Sequence, residues 1–438
     1  MSKPIVAIVG RPNVGKSALF NRIISRRLAI VEGTPGVTRD RLYADAEWTG
    51  RKFILVDTGG IEERPAEVFS AATRRQAEEA VEEADVIVFT VDAQSGLLPA
   101  DWDVAELLRR TRKPVIVAAN KADNEQIARQ AAEFFQLGLS EPIPVSAEHG
   151  KNIGDLLDRI VAHLPSVSDA QEPEDEIKIA LIGRPNVGKS SLANRLIGEE
   201  RMIVTDIPGT TRDAIDTVIT RDGRTFRLID TAGMRRRSRI DTRVEHYSTL
   251  RAIRAAERSD VCLVVLDATE GVTEQDARVA GIPHEAGKGV VLVVNKWDLV
   301  EKRTNTMQEY EQSVRNELGY LSYAPIVFVS ARTGQRVDRL LTVAQQVAEQ
   351  AAMRISTGRL NEVLQEAVHL HAPPSDKGKR LRILYATQVG VQPPHFVLFM
   401  NEPSLFHFSY RRYLEARLRE AFGFVGTPII ITAKRRGE

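Results

Sequence analysis

The 438-residue sequence predicts an α/β protein in which two copies of one three-layer domain stand in tandem and a smaller α+β domain follows them. Three observations lead there. Gly10-Arg11-Pro12-Asn13-Val14-Gly15-Lys16-Ser17 returns letter for letter as Gly183-Arg184-Pro185-Asn186-Val187-Gly188-Lys189-Ser190, 173 residues later. Within each copy apolar runs alternate with helical patterns, as in 5–9, 53–56, 86–91 and 115–119 of the first, with 66–84 read as a crossover helix. Such alternation specifies a mixed, mostly parallel sheet with helices on both faces. After about residue 355 the repeat is absent, and the pattern becomes helix 360–370, strands 382–389 and 395–401, helix 410–422 and strand 428–432.

The repeat extends well beyond one loop. Thr38-Arg39-Asp40 recurs as Thr211-Arg212-Asp213, and Asp57-Thr58-Gly59-Gly60 as Asp230-Thr231-Ala232-Gly233. Asn120-Lys121-Ala122-Asp123 recurs as Asn295-Lys296-Trp297-Asp298, two residues further along. A period this long marks a duplicated domain rather than a solenoid. The expected domains are 1–163, 177–354 and 355–438, with 164–176 as a linker whose five carboxylates and no cation make it self-repelling and solvated.

Composition narrows the class. Hydrophobic residues at 43% and charged residues at 27% are ordinary for a globular chain, and no apolar run approaches the roughly 18 residues a membrane span needs. The start of the chain has one cation, an apolar run and a glycine-rich loop in place of a cleavage site, so export is not expected. Cys262, the only cysteine, sits in an apolar run that reads as a buried strand, which suits a reducing cytoplasm. A cytoplasmic monomer without a membrane partner is expected. The net charge of +1 conceals a gradient of −3, −5, +4 and +5 over the four segments. It points to an anionic partner toward the C-terminus, with ordinary solvated faces as the alternative.

Each eight-residue repeat fits G-x-x-x-x-G-K-[ST] between an apolar strand and a helix, the context of a phosphate-binding loop. Backbone N–H groups from Gly10 to Gly15, or Gly183 to Gly188, would turn onto the phosphates, with Val14 and Val187 inside the loop. Lys16 and Lys189 would reach the β and γ oxygens, and Ser17 and Ser190 would ligate magnesium. Asp57 and Asp230 are each expected to end a strand and would hold the same ion through water, while Gly60 and Gly233 let a backbone N–H approach the γ-phosphate. Thr38 and Thr211 are the candidates to close over magnesium, with Thr34 and Thr210 as rivals.

Base identity turns on Asn-Lys-x-Asp. Asp123 and Asp298 can accept from guanine N1–H and N2–H, a donor pair that adenine lacks. With the wrong base each carboxylate stays buried and unpaired, a penalty that reaches about 10⁴ in discrimination. Ser146-Ala147 and Ser330-Ala331 would supply the last base contact through the alanine N–H. GTP or GDP at two sites is therefore expected.

Order, spacing and duplication of these motifs resemble the EngA/Der family, the bacterial double-Era-like GTPases, over essentially the whole chain. That resemblance implies two Ras-like P-loop G domains packed around a C-terminal KH-like domain. It also implies a role in assembly of the large ribosomal subunit, with that subunit and its rRNA as partners. The alternative is a GTPase coupled to RNA modification or another process without direct ribosome binding.

Hydrolysis departs from the Ras pattern. The position after Asp-x-x-Gly, where Ras-type enzymes place a water-orienting glutamine, holds Ile61 or Met234, so slow intrinsic turnover is expected. A protein activator or a monovalent cation would supply the missing group. Relatives that use potassium have an asparagine where Asn13 and Asn186 stand, and a turn role for each asparagine is the alternative. Arg235-Arg236-Arg237-Ser238-Arg239 follows the second Asp-x-x-Gly, whereas Ile61-Glu62-Glu63-Arg64 follows the first, so the two switches are expected to do different jobs. In the C-terminal domain the one G-x-x-G match, Gly423-Phe424-Val425-Gly426, joins a helix to a strand and has apolar middle residues, which puts ordinary KH-type RNA binding in doubt. Lys377, Lys379, Arg380, Arg382, Arg411, Arg412 and Lys434-Arg435-Arg436 are the candidates for phosphate contact.

Overall fold

Two sheets, whose central strands are buried on both faces, organise the chain. The structure, a computed structural model, describes residues 3–25, 43–58, 77–78, 80–165, 176–198, 203–208, 215–231, 249–376 and 379–435. Its contacts divide into two compact units, Met1–Gln171 with Ser248–Arg254, and Glu172–Tyr247 with Ala255–Glu438.

The first repeat runs β1 (Ile5–Val9), α1 (Lys16–Ser25), β2 (Tyr43–Trp48), β3 (Arg51–Asp57), β4 (Val86–Asp92), α2 (Pro99–Arg109), β5 (Val115–Asn120), α3 (Glu125–Gln130), β6 (Ile143–Pro144) and α4 (Ile153–His163). Its sheet order is β2-β3-β1-β4-β5-β6, parallel throughout except for β2. All seven residues of β4 are buried, because helices cover both faces and the strand can be apolar at every position. Strands β2 and β3 are joined by Thr49 and Gly50, both with positive φ (48° and 78°), the two-residue turn whose twist matches a hairpin. Residues 80–83 are helical, and the rest of the crossover expected over 66–84 lies almost entirely outside the described residues.

The second repeat follows the same plan with β7 (Glu176–Ile182), α5 (Lys189–Ile197), β8 (Ile203–Pro208), β9 (Ile215–Arg221), β10 (Arg224–Leu228), α6 (Thr249–Arg258), β11 (Val261–Asp267), α7 (Glu274–Glu285), β12 (Gly289–Asn295), α8 (Thr306–Glu317), β13 (Ile326–Phe328) and α9 (Arg339–Ala352). The order β13-β12-β11-β7-β10-β9-β8 repeats the first sheet and carries β8, antiparallel to β9, at its edge; the corresponding residues 30–35 of the first repeat lie outside the described residues. Cys262 is the expected buried thiol, and burial pushes its pKa up to about 11. Glu176 looked like a linker charge. It opens β7 instead, its side chain 3% exposed and paired twice with Arg227 at 3.0 and 2.8 Å.

The C-terminal part contains α10 (Thr357–Leu370), a short hairpin of β14 (Ser375–Asp376) and β15 (Lys379–Arg380), then β16 (Ile383–Gly390), β17 (His395–Met400), α11 (Phe408–Phe422) and β18 (Ile430–Arg435). The helix-strand-strand-helix-strand order expected there is present, with β16 antiparallel and β18 parallel to the central β17. Leu360 and Leu364 of α10, Leu414 and Leu418 of α11, and Phe396 and Leu398 of β17 form its core. Of the candidate phosphate cations, Lys377 and Arg436 lie outside the described residues, while Arg411 and Arg412 lie over the rings of Phe406 and Phe408 at 5.5 Å.

The G-x-x-G segment is consumed by packing. Phe424 is fully buried between Phe396 and Phe422, with ring centroids 5.8 and 6.2 Å away. Gly426 accepts from Val290 N at 2.6 Å and donates to Tyr323 O at 2.9 Å, and a Cβ on it would overlap Val347 of α9. The segment joins the second repeat to the C-terminal part, and of its four residues Val425 alone is exposed.

Beside it, His284 at the end of α7 contacts the Tyr323 hydroxyl at 2.8 Å, and Arg419 lies 4.5 Å over the Tyr323 ring. Burial, helped by the Arg419 charge, lowers the His284 pKa to about 4. The unfolded chain binds near pH 6.5 a proton that the fold refuses, so this stability is complete above pH 6.5 and is lost as pH falls toward 4, by about 3 kcal/mol at most. Thermal melts should therefore show wild type losing more stability than His284→Gln between pH 7 and 4.5; parallel losses would contradict the assignment.

Candidate functional site

In each repeat the candidate residues gather at the C-terminal edge of the sheet, on the loops after β1, β3, β4 and β5 and their counterparts, where an open α/β sheet places its ligand. The loop between β1 and α1 is anchored by the buried Val14, and Val187 does the same in the second repeat. Asn13 and Asn186 are exposed and left-handed, with φ of 65° and 64°. Gly15 and Gly188 have φ of 90° and 95°, and a Cβ on either would overlap the side-chain nitrogen of Asn120 or Asn295. Only glycine fits there.

Lys16, in the first turn of α1, bends back across the loop and donates to Gly10 O at 2.8 Å and Arg11 O at 3.0 Å. Lys189 donates to Arg184 O at 2.7 Å, with Gly183 opening its loop. Burial lowers the Lys16 pKa to about 8, against the opposing charge of Asp57.

The hydroxyl and carboxylate expected to share a cation meet in the first repeat, where Ser17 Oγ donates to Asp57 Oδ2 at 2.5 Å. Both are hard oxygen donors of the kind magnesium takes. The second repeat differs. Strand β10 stops at Leu228, so Asp230 is not strand-final as expected; it sits in a turn with φ 58° and donates its N–H to Asp216 Oδ1 at 3.1 Å. Ser190 occupies the first turn of α5, as Ser17 does in α1. Thr38, Thr211, their rivals Thr34 and Thr210, Gly60, Gly233, Ile61, Met234 and the arginine run 235–239 lie outside the described residues.

Asn120, the last residue of β5, ties three segments together. Its Nδ2 donates to Val14 O at 2.9 Å and its Oδ1 accepts from Ala147 N at 3.0 Å. Asn295 repeats both bonds, to Val187 O at 2.8 Å and from Ala331 N at 3.0 Å. Next to it Asp123 accepts from Ser146 Oγ at 2.6 Å and Gln94 Nε2 at 3.0 Å. Asp298 accepts from the Ser330 hydroxyl, which, with Arg332 2.6 Å away, holds its carboxyl below the usual carboxylate range.

Two carboxylates in this cluster were not foreseen. Lys121 Nζ lies 2.7 Å from Asp92 Oδ2 and Lys296 Nζ 2.6 Å from Asp267 Oδ2, each lysine standing in a left-handed turn. Burial opposes ionisation of Asp92, but the Lys121 and Ser95 bonds outweigh it and hold the group below its ordinary range. A signal existed: each aspartate ends an apolar strand, and the pair recurs 175 residues apart, the spacing of the Asn-Lys-x-Asp motifs.

The chain matches the family model described as "50S ribosome-binding GTPase" twice, over residues 5–121 and 178–296. Residues 354–434 match "KH-domain-like of EngA bacterial GTPase enzymes, C-terminal". It is 56% identical over 439 residues to a GTPase Der from Caldanaerobacter subterraneus subsp. tengcongensis, covering 100% of both chains. A GTPase Der from Moorella thermoacetica is 59% identical over 438 residues, again covering 100% of both. The chain belongs to the Der (EngA) family of GTPases. It is a GTP-binding, GTP-hydrolysing enzyme with two G domains in tandem and a KH-like C-terminal domain, as the motifs led us to expect. Among the described residues no helix is long and apolar enough to cross a membrane.

A phosphate beside Lys16 favours its charged form, so nucleotide affinity at the first site should be level below pH 8 and fall above it, by up to about tenfold per pH unit. GDP titrations at pH 7, 8 and 9 test this in an Asp298→Asn variant, which leaves the first site to be read alone; a flat profile would contradict it.

Proposed function

We propose that this GTPase acts as a double guanine-nucleotide switch in biogenesis of the large (50S) ribosomal subunit, nucleotide state setting domain arrangement and hence affinity for rRNA. The observation that carries the switch is the strand-end asparagine of each repeat, which ties a phosphate loop to the Ser-Ala loop whose serine holds a carboxylate able to accept from guanine. The ribosomal part is supported by the family description quoted above. We take the working domains as 1–163, 177–354 and 355–438, acting in the cytoplasm as a monomer.

In this reading Lys16 and Lys189 neutralise the β and γ oxygens, and the N–H groups of 10–17 and 183–190 cradle the phosphates. Magnesium is held by Ser17, Asp57 and Thr38 at one site and by Ser190, Asp230 and Thr211 at the other, with Gly60 and Gly233 sensing the γ-phosphate. Asn120, Lys121, Asp123, Ser146 and Ala147 frame the guanine, as do Asn295, Lys296, Asp298, Ser330 and Ala331. Asn13 and Asn186 stand where a potassium ion would add positive charge for hydrolysis, which Ile61 and Met234 cannot assist by orienting water.

Asp123→Asn and Asp298→Asn should each weaken GTP at its own site about 10³-fold or more, because an amide cannot accept both guanine donors. Potassium should speed turnover over sodium, and Asn13→Ala should abolish the difference at the first site; equal rates in both salts would remove potassium from the account. For the cellular role, the protein loaded with GDP, GTP or a non-hydrolysable analogue should sediment with large subunits in at least one state. Failure in every state would favour a GTPase that serves RNA modification or another process.

A further inference from the structure

The second residue of each phosphate loop is an arginine whose carbonyl receives the loop lysine, Arg11 O from Lys16 at 3.0 Å and Arg184 O from Lys189 at 2.7 Å. Whatever holds the arginine therefore aims the lysine. Opposite each arginine stands a wholly buried aspartate in the first turn of the helix that follows the neighbouring strand of the sheet, Asp101 of α2 after β4 and Asp276 of α7 after β11.

The two pairs are not equal. Arg184 Nε lies 3.1 Å from both carboxylate oxygens of Asp276, and its Nη1 lies 2.7 Å from Glu270. Asp276 is itself fixed by Thr273, whose N–H and hydroxyl reach Oδ2 at 3.0 and 2.8 Å. Arg11 Nε, by contrast, stands 3.4 Å from Asp101 Oδ1 and its Nη2 3.9 Å from Asp92. Among the described residues, Arg11 Nε, Arg11 Nη2 and Asp101 Oδ1 all lack an aligned hydrogen-bond partner, whereas on Arg184 only Nη2 does. Burial accordingly pushes the Asp101 carboxyl above its ordinary range.

Two differences between the repeats account for this. Thr273 and Glu270 correspond, at the 175-residue spacing, to Leu98 and Ser95. Leu98 has no side-chain donor and reaches Asp101 only through its N–H, at 3.1 Å. Ser95 is too short for the arginine and bonds Asp92 instead, at 2.9 Å.

We infer that Arg184 and Arg11 are positioning residues for the phosphate loops, and that the loop is locked in the second G domain and loosely held in the first. This rests on the reading of both loops as phosphate sites. A guanidinium hydrogen-bonded to one carboxylate and paired at 2.7 Å with a second holds its backbone more firmly than one held by two longer ion pairs of 3.4 and 3.9 Å. The lock is thus a tuning element that lets two otherwise matched sites retain nucleotide to different degrees.

Release of a fluorescent GDP from full-length protein tests this, with one site silenced by Asp123→Asn or Asp298→Asn so that the other is read alone. Arg184→Ala should speed release from the second site about tenfold or more, and Arg184→Lys, which keeps charge without the fork, should fall between. Arg11→Ala should change the first site by less than about threefold, because its contacts are long and poorly aligned. The gain-of-function variant Ser95→Glu/Leu98→Thr should slow release from the first site several-fold. Binding of GMP, which lacks the phosphate the lysine reaches, should change little in Arg184→Ala. The inference is overturned if Arg184→Ala leaves release unchanged, if GMP and GDP weaken alike, or if the transplanted pair leaves the first site as it was. Should Arg184→Ala fail to fold, Arg184→Lys and the transplant decide. If Asp298→Asn does not silence the second site, it is the reading of the guanine site that fails and not the positioning.

Discussion

Each G domain depends on one side-chain amide held between two loops. Asn120 and Asn295 end the strand next to the edge strand of their sheets and satisfy a buried carbonyl of the phosphate loop and a buried N–H of the Ser-Ala loop at once. Losing the amide would leave both backbone groups unpaired, at about 1–3 kcal/mol each. It would also uncouple the part of the site that holds phosphate from the part that reads the base. The glycines at 15 and 188 follow from this, since the amide occupies the space a Cβ would need. So does the buried apolar strand behind each asparagine, which turns a side chain into a fixed strut.

Around that common frame the repeats diverge in charge and hydrogen bonding. The first brings Ser17 and Asp57 into contact, while the second turns Asp230 onto Asp216. Gln94 faces Asp123, whereas Arg332 faces Asp298. The loop lysines, the strand-end asparagines and the Asn-Lys-x-Asp aspartates recur in both copies. Their surroundings differ, and on the proposed reading those surroundings set how tightly each site holds nucleotide. The C-terminal domain shows the same economy: a segment with the spacing of a nucleotide-clamping loop is a packing joint, with Phe424 in the core and Gly426 against α9.

Much of the fold is legible in the sequence. Strand runs, the glycine-rich loops between strand and helix, the strand-end setting of Asn-Lys-x-Asp and the C-terminal element order depend on local pattern, and local pattern is what a single chain displays. What escaped depends on partners far away in sequence. Glu176 looks like one more solvated acid until Arg227, 51 residues on, is seen to take both its oxygens. Asp92 looks like a strand terminus until Lys121 meets it, and β2 escapes a search for continuous apolar runs because its residues alternate between apolar and polar. Asp230 failed in the other direction: its motif predicts a strand end, but the chain turns two residues early.

The most direct test of the account is calorimetric. Titration of nucleotide-free protein with GDP should give two binding events per chain, and saturating ATP should leave both intact, because adenine lacks the donors that Asp123 and Asp298 require. One event per chain, or displacement by ATP at comparable concentration, would contradict the claim that both repeats are built to recognise guanine.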